Sequence, residues 1–297
     1  MSPSAMPRLV LLTTLAMLAF AGNSLLCRLA LRDTAIDAAS FTSIRLAAGA
    51  LVLAVIVRAQ KGQLAGGGSW MAAGCLFAYA AGFSFAYRQL SAATGALLLF
   101  GAVQIAMLSY GLAKGERLRP LQIAGLLVAV GGLVYMLLPG LAAPPIDGAA
   151  FMIFAGIAWA GYSLLGRGTS DPTAATAGNF LRAVPFAAAL NLAIATHTSV
   201  DRTGALYAAA SGAITSGLGY VLWYAVLPSL KAASAAVIQL SVPAIAALGG
   251  VILLAEPLSN RLMIASGTIL GGIALTIVCP PTSPKSNRHG STPSEGT

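Results

Sequence analysis

The 297 residues are 58% hydrophobic and only 8% charged, against about 25% charged in ordinary soluble domains, which excludes a water-solvated globular fold. A net charge of +9 raises nucleic acid as a partner, but the 17 Lys and Arg are scattered singly and form no basic patch. The eight acidic residues interrupt long apolar runs, so the charges mark loops between stretches long enough to cross about 30 Å of hydrocarbon.

Read in chain order, those stretches predict ten transmembrane helices at 9–27, 38–57, 69–87, 92–112, 120–138, 148–166, 174–195, 204–227, 232–253 and 261–279. The runs are continuously apolar and rich in Leu and Ala, unlike the alternating segments of a membrane barrel, so helices are expected. The fold class is an all-α membrane protein. Placing the N-terminus in the cytoplasm assigns ten Lys and Arg to inner loops and tails, from Arg8 to Arg288. It assigns five to the outer side: Arg28, Arg32, Arg88, Arg202 and Arg261. This bias predicts an inner-membrane, multi-pass chain with both termini cytoplasmic. Arg8, the apolar run after it and Ala19-Phe20-Ala21 before Gly22 resemble a cleavable signal peptide. Cys27, Cys75 and Cys279 lie in or at the ends of apolar spans without metal-ligand spacing, so neither a metal site nor a cofactor is expected. The Pro- and Ser-rich stretch 280–297 reads as a disordered cytoplasmic tail.

The chain also repeats itself. AFAGNSLLCR at 19–28 matches AWAGYSLLGR at 158–167 in seven of ten positions, at an offset of 139. An offset of 140 aligns 90–135 with 230–275, pairing Glu116 with Glu256 and Gly131-Gly132 with Gly271-Gly272. Arg45 and Arg182 pair more loosely at an offset of 137. Each unit holds five spans, an odd number, so the second enters the membrane from the opposite side. The expectation is a tail at 1–8, repeats at 9–138 and 148–279 and a linker at 139–147. The two inverted five-helix repeats enclose a central cavity, with the substrate site near the midplane. Because the first helix has an intact partner in the sixth, it is expected to be retained, not cleaved.

These residues resemble the drug/metabolite transporter superfamily, in its EamA-like ten-helix branch. The resemblance rests on the Ala-Gly-x-Ser segments of helices 1 and 6 and the Arg of helices 2 and 7. It rests also on Gly115-Glu116-Arg117-Leu118 and Ala255-Glu256-Pro257-Leu258, each followed by a Gly-Gly helix. It covers about residues 8–279 and departs from the family pattern at Phe20, where Trp is frequent. Length and layout are also similar to bacterial amino-acid exporters, including the aromatic amino-acid group. The resemblance implies a basket of helices open alternately to each side, exporting a small metabolite such as an amino acid. Its partners are that solute and the bilayer, without nucleic acid, and the sequence leaves the oligomeric state open, a monomer among the options.

Polar groups inside spans are costly and are the first places to look for a substrate site. Arg45 and Arg182 offer guanidinium forks for a carboxylate, or else brace neighbouring helices. Tyr79 and Phe83 on helix 3, and Tyr220 and Tyr224 on helix 8, form aromatic stripes that either face each other across the cavity or pack the core. Asn23 on helix 1 and Trp159, Tyr162 and Ser163 on helix 6 either line the axis or flank close helix packing. Gln104, in mid-span, is a further lining candidate. Glu116 and Glu256 end equivalent helices, where a carboxylate opposes the macrodipole. They are expected to be structural or gating, holding the next helix's N-terminus or a cation such as Arg119 or Arg261.

No Asp or Glu lies deep in any span, which disfavours exchange of protons for cationic drugs. The expected cargo is a small carboxylate-bearing or zwitterionic metabolite moving as by a facilitator or exchanger. A multidrug exporter or nucleotide-sugar carrier of the same fold is the alternative, and a channel a further one. An intramembrane enzyme finds no support, because His197 and His289 fall in a loop and the tail and no catalytic motif is present.

Overall fold

The computed structural model describes residues 5–61, 67–115, 119–140, 143–167, 169–195, 198–230 and 238–278. They form ten helices and, among the described residues, no strand. The helices are α1 (Ala5–Asp33), α2 (Ala38–Lys61), α3 (Trp70–Tyr87), α4 (Ala92–Ala113), α5 (Pro120–Leu137), α6 (Ile146–Leu165), α7 (Pro172–Ala193), α8 (Arg202–Val226), α9 (Ser241–Leu254) and α10 (Asn260–Val278). Eight are long and apolar enough to cross a membrane; α7, which carries Asn179, Arg182 and Asn191, and the short described part of α9 are the other two. Their outward faces are those of a protein solvated by lipid: Leu192 is 78% and Ile252 76% exposed.

Helix starts follow local chemistry. Ser69, Ser91, Asp171 and Asp201 accept from backbone N–H groups at the starts of α3, α4, α7 and α8, supplying partners that the first helical turn lacks. Pro120 and Pro172 sit at first helical positions, where no N–H is needed. Before α2, Asp37 accepts from the N–H groups of Ala39 and Ser40 and, through its other oxygen, from Ser199 N ahead of α8. Burial by itself raises the Asp37 pKa, but these bonds outweigh it and hold the carboxyl below its usual range.

Two boundaries differ from the sequence expectation. α1 begins at Ala5, so the expected tail at 1–8 loses its last residues to the helix, which continues where an apolar run has no breaker. α8 is one span, but Ser211–Leu218 within it winds as a π-helix. The small residues there permit the wider turn: a Cβ on Gly212 would meet the Arg45 carbonyl at 2.0 Å, so α2 and α8 are nearly in backbone contact. The expected span at 232–253 is described only from residue 238, and the stretch 280–297 lies outside the described residues.

The principal packings are α5 on α10, α2 on α7, α4 on α9, α3 on α6, α1 on α8, α4 on α6, α1 on α9, α3 on α7 and α2 on α8. α5 and α10 run antiparallel: Gln122 Nε2 at the start of α5 donates to Thr276 O, and the guanidinium of Arg261 at the start of α10 donates to Tyr135 O and Leu138 O. A Cβ on Gly272 would lie 2.5 Å from Gly125 O and 2.6 Å from Ala129 N, whereas one on Gly271 would meet nothing within 4 Å. Gly272→Val therefore forces the two backbones apart and is expected to lower unfolding free energy by about 1–3 kcal/mol. Gly271→Ala is expected to be neutral or slightly stabilising. Thermal unfolding of the two variants in the same detergent checks the contrast.

Candidate functional site

Helices α1, α3, α4, α6 and α8 surround a cavity of about 760 Å³ at the centre of the bundle. It runs from Asn23 and Tyr79, in mid-helix, to Arg167 and Thr169 beyond the C-terminus of α6, and to Gln122 and Gln239 at the starts of α5 and α9. Arg167 is exposed, so this end is the mouth.

The wall is largely aromatic. Trp159 of α6 lies with its ring centroid 4.7 Å from that of Tyr79 and 5.4 Å from those of Tyr162 and Tyr220. Tyr79 continues to Phe83 at 5.4 Å, and Phe20 meets Tyr220 at 5.9 Å and Trp223 at 6.0 Å. The stripes expected on helices 3 and 8 thus meet through Trp159. Phe20, notable in sequence only as a departure from Trp, is part of the lining.

Behind this wall lies a polar knot. Arg45 is 2% exposed; its Nη2 donates to the Tyr79 hydroxyl at 3.1 Å and its Nε to Ser216 Oγ at 3.4 Å. Its Cζ stands 4.9 Å from the Phe83 ring centroid and 5.2 Å from that of Tyr79. Among the described residues Arg45 Nη1 has no hydrogen-bond partner and no carboxylate pairs with the guanidinium. Asn23 Nδ2 donates to the Tyr79 hydroxyl at 3.2 Å, while its Oδ1 accepts from Ser211 Oγ at 2.7 Å and Thr215 Oγ1 at 3.3 Å. The π-helix delivers all three α8 hydroxyls, and their source, the small polar run SGAITSG, was the only trace of it in the sequence.

Of the expected site residues, Asn23, Tyr79, Phe83, Gln104, Trp159, Tyr162, Ser163, Tyr220 and Tyr224 all line the cavity. Arg45 stands just behind the lining. Arg182 does not reach it: its Nη1 donates to Gly67 O at 2.7 Å and Gly178 O at 3.0 Å, and its Cζ lies 6.0 Å from the Trp70 ring. That corrects its expected place, because the segment entering α3 comes close enough to α7 to capture the guanidinium. The expected equivalence of Arg45 and Arg182 does not extend to their surroundings.

The end opposite the mouth is shut. Leu254 closes α9, Ala255 adopts a left-handed conformation (φ 50°), and Glu256 turns back beneath the bundle. Its Oε1 accepts from Arg28 Nε at 2.9 Å and its Oε2 from Ala92 N, the first residue of α4, at 2.8 Å. Arg28 Nη1 donates in addition to Tyr87 O and Arg88 O, so one ion pair ties the ends of α1, α3 and α9 to the start of α4. Glu256 does bind a helix N-terminus and a cation, but they are those of α4 and Arg28, not the following helix and Arg261. Glu116, with Arg117 and Leu118, lies outside the described residues. Among the described residues no cluster of His, Cys, Asp and Glu is suited to hold a metal.

A multi-pass helical bundle around an aromatic cavity open at one end suits a membrane transporter, and the comparisons agree. Residues 146–278 match the EamA-like transporter family. The chain is 56% identical over 271 residues, 91% of its length and 94% of the other, to an uncharacterized protein of Pseudomonas aeruginosa. It is 39% identical over 66 residues, 22% of its length and 24% of the other, to an uncharacterized transporter of Archaeoglobus fulgidus. A crystal structure of another protein shares the fold with a TM-score of 0.64 at 20% identity, covering 92% of this chain and 98% of that one. The chain belongs to the EamA-like transporter family and is a multi-pass membrane transporter.

Proposed function

We propose that the protein exports small carboxylate-bearing metabolites, amino acids foremost, by alternating access between two inverted five-helix repeats. The observation that carries this reading is the cavity itself. It is open at one end and tied shut at the other, and a buried guanidinium that has no carboxylate partner among the described residues stands behind its aromatic wall. A lone buried cation is expensive, and a transient anionic ligand is the simplest compensation.

The helix packing supports the inverted plan. Exchanging each helix with the one five places on turns α1 on α8 into α6 on α3, α1 on α9 into α6 on α4, and α2 on α8 into α7 on α3. The same exchange leaves α2 on α7, α4 on α9 and α5 on α10 unchanged. With the N-terminus cytoplasmic, as the loop charges favour, the mouth faces inward, the side from which an exporter loads. A cationic-drug exporter is less well served, because no Asp or Glu lines the described cavity.

Counterflow tests the carrier reading. Proteoliposomes preloaded with an unlabelled amino-acid mixture are expected to take up labelled amino acid several-fold faster than empty ones. Uptake indifferent to the trans solute would instead indicate a channel, and strong acceleration by an imposed pH gradient would count against simple exchange.

A further inference from the structure

The lining says more about the cargo than that it carries a carboxylate. A phenol oxygen has two lone pairs and one proton. At Tyr79 both lone pairs are engaged, by Arg45 Nη2 at 3.1 Å and Asn23 Nδ2 at 3.2 Å. The Asn23 amide is held in that orientation by the Ser211 and Thr215 hydroxyls on its Oδ1. What remains to Tyr79, a residue of the cavity wall, is its O–H proton, polarised by the guanidinium behind it. The hydroxyl of this wall residue is therefore a hydrogen-bond donor with no accepting capacity left. It suits a carboxylate oxygen and has nothing to offer an ammonium.

The rest of the described lining repeats the bias. Its charged side chain is another cation, Arg167 at the mouth, and it contains no Asp or Glu. Glu256 is engaged by Arg28 and Ala92 N at the shut end, and Asp171 caps α7. A bound ammonium would meet ring faces and neutral oxygens such as those of Gln104 and Ser163, but no carboxylate to balance its charge.

We infer that the Tyr79 hydroxyl, backed by Arg45 and oriented with Asn23, is the carboxylate-reading group of the cavity, and that the site takes carboxylates with a planar apolar body whether or not they carry an amino group. This rests on the carboxylate reading above and narrows it: the amino group of an amino acid is tolerated, not recognised.

Three ligands of one shape separate the charges: 3-phenylpropanoate (anion), phenylalanine (zwitterion) and phenethylamine (cation). Binding to the protein in nanodiscs is followed by tryptophan fluorescence, Trp159 being part of the wall. Phenylpropanoate is expected to bind at least as tightly as phenylalanine, and both at least tenfold more tightly than phenethylamine. Tyr79→Phe is expected to erase that advantage while leaving phenethylamine binding unchanged, and full carboxylate affinity in this variant would remove Tyr79 from its role. Should the variant fold poorly, the rank order on the parent protein decides. Phenylalanine binding tenfold tighter than phenylpropanoate would overturn the inference and leave the carboxylate reading standing. Phenethylamine binding tightest, or no binding of any of the three, would overturn both.

Discussion

Arg45→Met is expected to abolish most transport without weakening the protein. Arg45 is buried without a carboxylate partner among the described residues, has an unpartnered Nη1, and is balanced only by two hydrogen bonds and two ring faces. A buried charge carries a desolvation penalty of several kcal/mol, on the order of what two hydrogen bonds and two ring faces return, so an apolar side chain of similar length is expected to cost no stability. A hydrogen bond to a charged ligand, here from the Tyr79 hydroxyl that Arg45 polarises, is worth about 1.5–3 kcal/mol, or roughly 10- to 100-fold in affinity. Melting temperature and counterflow rate, measured on the same preparation, should therefore move apart: unchanged or higher stability, with exchange reduced at least tenfold. If both fall together, Arg45 is a brace between α2, α3 and α8, and the cation behind the wall has no part in transport.

The second large effect is expected at the shut end. Glu256→Ala removes the acceptor that Arg28 and Ala92 N share and leaves a mostly buried guanidinium without its ion pair, at a cost of about 3 kcal/mol. Since that ion pair joins four helix ends, its loss should raise the population of the form open at that end. Cys27 is a native reporter: it is completely buried and adjacent in sequence to Arg28. In a background with Cys75→Ser and Cys279→Ser, Cys27 is expected to react with a membrane-impermeant maleimide at least tenfold faster once Glu256 is replaced. Labelling at the parent rate would mean that packing of Phe83, Tyr87 and Leu90 keeps the end closed without the ion pair. The left-handed Ala255 gives a reason for the tie to be needed, because a non-glycine residue held there is strained.

The sequence carried the helices because hydrophobic length is a one-dimensional property: the run from 92 to 112 must cross the bilayer whatever surrounds it, and α4 spans Ala92–Ala113. It carried most of the lining for a related reason. Aromatic and amide side chains at Tyr79, Gln104 and Trp159 are rare enough inside apolar spans to single themselves out, and each borders the cavity. The π-turn of α8 was not legible, since Ser, Gly and Thr within a span fit an ordinary close-packed helix equally well; in the structure it coincides with the approach of Gly212 to the α2 backbone.

The two arginines mark the same division. Both are single cations inside spans, and charge and spacing alone treat them alike. One stands among hydroxyls and ring faces behind the cavity, and the other is taken up by the carbonyls of Gly67 and Gly178. Sequence by itself determined a ten-helix membrane chain with a duplicated pattern, because burial in lipid depends on composition along the chain. Tertiary structure decided which polar side chains face the path, which end is tied shut and which acid holds which cation. Those depend on contacts between residues more than a hundred positions apart, such as Arg28 with Glu256 and Arg45 with Ser216, and no local pattern encodes them.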